Sequence, residues 1–291
     1  MGVFKAIGNG IGTAFRRPRV LLTLWAVNVM CALLIVAPFS VLIKSDLGHS
    51  LLGRGLELLD ILWLGEFAYR YQSAAPALAA SFLVPFFLYL GLYVFLNGGI
   101  IGSLLDRDGR PGLGAFFGDC GRYFWRFGRI FLASLILYGL AFGVILGFLS
   151  RLLKPILDQA RTPWTPFWLA WLRAGLSILL LSLVHMILDY TRILVVAENE
   201  RSVRRALRKA LAFLGRRFFR SWSLYLLIGA GLVTGAALYF ALVRLIPGSG
   251  LAGLGLGLLW GQAFIVFRLW TKILFFAAQA EYYQSEHDRW P

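Results

Sequence analysis

Two ionisable doublets stand out in a chain otherwise poor in charge: His185 with Asp189, and Arg268 with Lys272. A spacing of four residues is one helical turn, so each doublet puts its two side chains on one face of a helix. Each lies in a long apolar stretch, and each stretch is followed by a glutamate, Glu198 or Glu281. Asp189 and Lys272 precede their glutamates by nine residues, His185 and Arg268 by 13. At the helical rise, the doublets sit at matching depths of roughly 14 and 20 Å. A charge that far into hydrocarbon needs a partner. Together with Arg192, the cluster could relay a proton or ion, or hold a polar headgroup in a cavity open to one side. The simpler use is a tether, with Asp189 paired to Arg192 on its own helix and Lys272 reaching toward the interface.

Other chemistry dissolves on inspection. Pro247-Gly248-Ser249-Gly250 invites comparison with the nucleophile turn of intramembrane serine proteases. That turn needs a glycine where Pro247 stands and a histidine in the last apolar run, which has none. There is no HExxH, no phosphate-cradling glycine loop ending in Lys-Ser/Thr, and no dinucleotide fingerprint. His49 and His287 are isolated, and Cys31 and Cys120 make neither a disulfide framework nor a metal site. No metal, no cofactor and no catalytic residue is expected.

The elements that must position these side chains follow from composition. Of 291 residues, 59% are hydrophobic and 15% charged, and the mean hydropathy is +0.74. A soluble core cannot absorb that apolar surface. Lipid offers a backbone amide no partner, so each run of about 20 apolar residues must be a helix. Six runs qualify, approximately 20–43, 76–105, 130–150, 174–197, 222–246 and 253–280. The first is longer than a signal-peptide core and lacks a small-x-small cleavage site, so it reads as an uncleaved span. The expectation is an all-α polytopic bundle, residues 1–291 forming a single transmembrane domain.

The formal charge is +15, from 29 Lys+Arg against 14 Asp+Glu. With the N-terminus inside, the inner segments hold 18 cations and the outer ones eight. That split predicts a bacterial inner-membrane protein with both ends in the cytoplasm. Basic, aromatic-flanked stretches precede each outward-going span, as at 15–19, 124–129 and 216–220, so the chain reads as three hairpins. The densest is NERSVRRALRKALAFLGRRFFR at 199–220. Val203, Leu207, Leu211, Leu214 and Phe218 fall on one stripe there. Arg201, Arg204, Arg205, Arg208, Lys209, Arg216, Arg217 and Arg220 surround it, the pattern of a helix in the headgroup plane reaching lipid phosphates. Leu51–Tyr71 is a second, nearly neutral amphipathic segment, and Trp164, Trp168 and Trp171 suit an outer aromatic belt.

Small residues predict how spans pack. Gly139, Gly143 and Gly147 recur every four residues in span three, and Gly253, Gly257 and Gly261 in span six, with Gly231 and Gly235 in span five. Such ridges let backbones approach where lipid gives no hydrophobic drive. Contacts inside the bundle are the first expectation, a homodimer the second. Asn97-Gly98-Gly99 and Pro85 predict a packing kink in span two.

The stretch from Asp189 to Leu227, an acidic residue in a span followed by VVAENERSVRRALRKALAFLGRRFFRSWSLYLL, resembles bacterial six-span proteins of unknown function. It is similar to the membrane domain found beside glycerophosphoryl diester phosphodiesterases. The phosphodiesterase domain is absent, so the resemblance implies a membrane module without that activity. The expected function is a non-catalytic module that binds anionic lipid, or a partner in a membrane complex, through its basic inner belt. No nucleic-acid partner is expected. The alternatives are a small transporter or permease-like subunit using the intramembrane cluster, and an intramembrane lipid-modifying enzyme.

Overall fold

The computed structural model describes residues 2–47, 65, 69, 71–106, 112–159, 162–246 and 250–287. The amphipathic segment at 51–71, His49 and most of the Pro247 turn therefore lie almost wholly outside the described residues. Among those described there is no strand, and the chain is an all-α helical bundle. The helices are α1 (Val3–Phe15), α2 (Pro18–Leu47), α3 (Ala75–Leu105), α4 (Leu113–Tyr138), α5 (Gly147–Asp158), α6 (Trp164–Ala197), α7 (Val203–Val243) and α8 (Gly250–His287). A π-helical stretch, Gly139–Leu146, joins α4 to α5, so one helical rod covers Leu113–Asp158.

Six helices are long and apolar enough to cross a membrane. This makes the chain a multi-pass membrane protein by length and composition. The helices outrun the apolar runs expected of them. Span three is the middle of the Leu113–Asp158 rod, and span five is the second half of α7. The basic stretch and the apolar half of α7 are two helical segments joined across a kink. The kink falls at Arg217, whose backbone leaves helical geometry (φ −130°, ψ 26°).

The chain groups into two compact units. The first comprises Met1–Arg17, Val94–Ala230 and Lys272–Pro291. In it, α1 presents Ala6, Gly10 and Ala14, all buried, at helical spacing. A methyl group at Gly10 would stand 2.9 Å from the backbone of Ala278 on α8, so the two helices touch backbone to backbone. Arg17 donates to the Asp106 carbonyl at 2.7 Å, closing the start of the unit onto the end of α3. The Asn97-Gly98-Gly99 segment stays helical rather than opening. Its glycines admit α4 instead: a methyl at Gly99 would collide with Cys120 Sγ and stand 2.7 Å from the Phe116 carbonyl oxygen.

The second unit comprises Pro18–Tyr93 and Gly231–Thr271. Trp25 Nε1 donates to Gln262 Oε1 at 2.8 Å, joining α2 to α8. Trp260 Nε1 donates to the Tyr239 carbonyl at 3.3 Å, and the Tyr239 ring stacks on Phe264 at 4.5 Å, joining α7 to α8. Gly235 makes room for the Phe267 ring.

The expected glycine ridges are otherwise open. No described atom lies within 4 Å of where a Cβ would stand at Gly139, Gly143, Gly147, Gly231, Gly257 or Gly261. Gly253 is buried. Spacing alone could not separate these glycines from Gly10, Gly99 and Gly235, because a four-residue repeat says a helix has a smooth face and not which way it points.

Candidate functional site

The turn between α6 and α7 organises the site. Asn199 takes a left-handed backbone (φ 47°), the conformation that stops a helix and that asparagine tolerates better than most residues. Its side-chain oxygen accepts from Arg126 Nη1 at 2.7 Å, fastening the turn to α4. Two residues later the Ser202 amide donates to Glu200 at 3.1 Å. That amide bond, then the nearby Arg205 (3.2 Å) and Lys209 (3.7 Å), hold the exposed Glu200 carboxyl below its ordinary value. The turn thereby aims Glu198 and Glu200 at the first two turns of α7.

From there α7 has two faces. Ala206, Ala210 and Leu214 are buried, whereas Leu211 is 47% exposed. The contact face is rotated away from the stripe of large apolar residues expected there. Close helix packing selects alanines, while a hydrophobic stripe counts bulky side chains. Phe213 inserts between neighbouring helices, its ring 5.3 Å from Tyr190 on α6 and 6.1 and 5.2 Å from Tyr282 and Tyr283 on α8. Arg201, Arg204, Arg205, Arg208, Lys209, Arg216 and Arg220 are exposed, and Arg217 is half-buried.

Three acids meet this basic face. Lys209 bonds Glu198, which also accepts from the Tyr283 hydroxyl at 2.6 Å. Arg217 pairs with the buried Glu286 of α8 at 3.0 Å. Between these pairs lies a cavity of about 830 Å³, floored by Leu194, Ala212 and Phe213 and walled by Glu198, Lys209, Arg216, Arg217, Tyr283 and Glu286. Sequence reading found its cations and missed Phe213, Tyr283 and Glu286. The last two follow the final apolar run, where hydropathy no longer points to structure.

The intramembrane cluster is partly as expected. Asp189 and Arg192, both buried, pair at 2.8 Å one turn apart on α6. His185 and Lys272 also act on the Asp189 carboxylate electrostatically, and the His185 ring packs edge-on against Tyr138 at 5.8 Å. Arg268 is exposed.

Next to the pair is a polar interior built from α6, α7 and α8. The Tyr190 hydroxyl faces Ser221, and Tyr190, Ser221, Gln279 and Tyr282 are all fully buried. Neither polar atom of the Gln279 side chain has a hydrogen-bond partner among the described residues. A closed ion pair on one helix, flanked by neutral hydroxyls and an amide, can fix helix geometry. It offers no nucleophile held by a base.

No family model matches the sequence, and neither a curated protein nor a solved structure matches it.

Proposed function

We propose that the chain is a non-catalytic membrane module, of a bacterial inner membrane with both ends cytoplasmic, that binds anionic lipid through the basic half of α7. One observation carries this reading. Along 201–220 the helix turns alanines inward and cations outward, with Arg201, Arg204 and Arg208 exposed and in no ion pair among the described residues. Were these cations structural, acids of the chain would meet them. Among the described residues, Glu198, Glu200 and Glu286 form ion pairs with Arg205, Lys209 and Arg217.

A lipid surface of negative charge attracts such a row at about 1 kcal/mol per cation. The fit of Asp189 to Arg192 on its own helix supports a structural use of the intramembrane charges, and so favours the module over a transporter. The test is thermal unfolding in nanodiscs of graded phosphoglycerol-lipid content. The wild type should gain stability with anionic lipid, and Arg204→Glu with Arg208→Glu should lose most of that gain. An unchanged dependence in the double variant would end the proposal.

A further inference from the structure

We infer that the cavity between the end of α6, the basic half of α7 and the end of α8 binds one phospholipid whose headgroup carries both a phosphate and an ammonium. This rests on the reading of this end of α7 as facing lipid headgroups. It differs from that reading in naming one seated molecule and a mixed-charge headgroup.

The first observation is the charge pattern. The cavity wall carries three cations, Lys209, Arg216 and Arg217, and two carboxylates, Glu198 and Glu286. Lys209 and Arg217 are engaged with those carboxylates, whereas Arg216 is exposed and in no ion pair among the described residues. Arg216 is therefore the wall's open anion receptor, and its planar donors suit a phosphate. An anion alone would also meet two carboxylates. A headgroup bearing an ammonium a few bonds from its phosphate sets its anion on Arg216 and its cation toward those carboxylates, and adds no net charge to a wall of three cations and two carboxylates.

The second observation is that the wall is built and not incidental. Glu286 is 5% exposed and is held by Arg217, the residue at which α7 leaves helical geometry. A buried carboxylate costs free energy unless charges and donors surround it. The third is the floor. Leu194, Ala212 and Phe213 are apolar, and a soluble phosphate compound would leave them wet, whereas the glycerol and first methylenes of a lipid cover them. The volume of about 830 Å³ takes a headgroup and its glycerol, within the range of roughly 300–1,000 Å³ usual for ligand pockets.

The test is native mass spectrometry of the full chain released from nanodiscs that contain phosphoethanolamine, phosphoglycerol and phosphatidic acid lipids in equal amounts. One retained phosphoethanolamine lipid is expected, lost on the order of tenfold in Arg216→Ala, the scale of one charge-assisted hydrogen bond. Glu198→Gln, nearly isosteric, should shift retention toward the phosphoglycerol lipid. Arg204→Glu with Arg208→Glu should leave the single retained lipid in place, which separates this site from the outer belt. Equal retention of all three lipids, or retention unchanged in Arg216→Ala, overturns the inference. Displacement by millimolar O-phosphorylethanolamine as effective as by the lipid itself also overturns it, since the apolar floor would then contribute nothing.

Discussion

Helix α7, kinked at Arg217, carries two different surfaces along its length. From Val203 to Ala230 it buries Ala206, Ala210, Leu214, Ser221, Leu224 and Ile228 and turns cations outward. From Gly231 to Val243 it buries nothing, and Val233, Leu238 and Phe240 are 68, 57 and 62% exposed. The two units divide in the same way. The unit that holds the first half of α7 has a polar interior with ion pairs and backbone contacts through glycine. The unit that holds the second half exposes Met30, Leu33, Val84 and Phe87 and is joined by two tryptophan hydrogen bonds and a stacked tyrosine. In water the second unit would collapse on itself. In lipid, apolar exposure costs nothing, so helices there need only a few specific contacts. The difference shows that one chain is built for two solvents, with order concentrated where the polar groups are.

Breaking the polar unit should have the largest effect. Asp189→Leu leaves Arg192 buried without its partner and should destabilise the fold by about 4 kcal/mol, the scale of a broken buried pair. Asp189→Leu with Arg192→Leu should recover most of that loss, measured as thermal unfolding in detergent. A double variant as unstable as the single one would mean that the charges do more than offset each other. Next in size is Gly99→Ala, which drives a methyl into the α4 backbone at Phe116 and should cost about 2 kcal/mol. Gly257→Ala in the other unit meets no described atom and should change stability by no more than about 0.5 kcal/mol. Trp25→Phe, which removes the hydrogen bond to Gln262, should cost about 0.6 kcal/mol, the average for such bonds between membrane helices. A larger loss would show that the lipid-facing unit depends on its few polar contacts as the polar unit does.

Hydropathy located all six spans because the constraint behind it is absolute: an apolar stretch in lipid has no alternative to the helix. It misjudged where helices end. Apart from Arg217, Val203–Arg220 is helical too, as is Leu113–Arg129, because a helix can run on past its apolar residues. The basic face of α7 was legible in the sequence, since eight of the 20 residues from 201 to 220 are cations. The cavity beside it was not. Its floor residue Phe213 sits one position from the expected apolar stripe, and Glu286 lies beyond the last apolar run. Their meeting depends on how α7 and α8 cross. One small-residue repeat was readable and went unread: Ala6, Gly10 and Ala14 on α1 follow the four-residue rule applied to the spans, and there it marks a real contact.

The central claim is that the basic stretch of α7 faces the inner headgroup layer while its second half crosses lipid, which site-directed labelling measures directly. The native Cys31 and Cys120 are both buried and should stay silent toward a membrane-impermeant maleimide. Arg208→Cys should then label in inverted vesicles and not in intact cells, and Val233→Cys should label in neither. Labelling of Val233→Cys from either side, or of Arg208→Cys from the outer side, would contradict it.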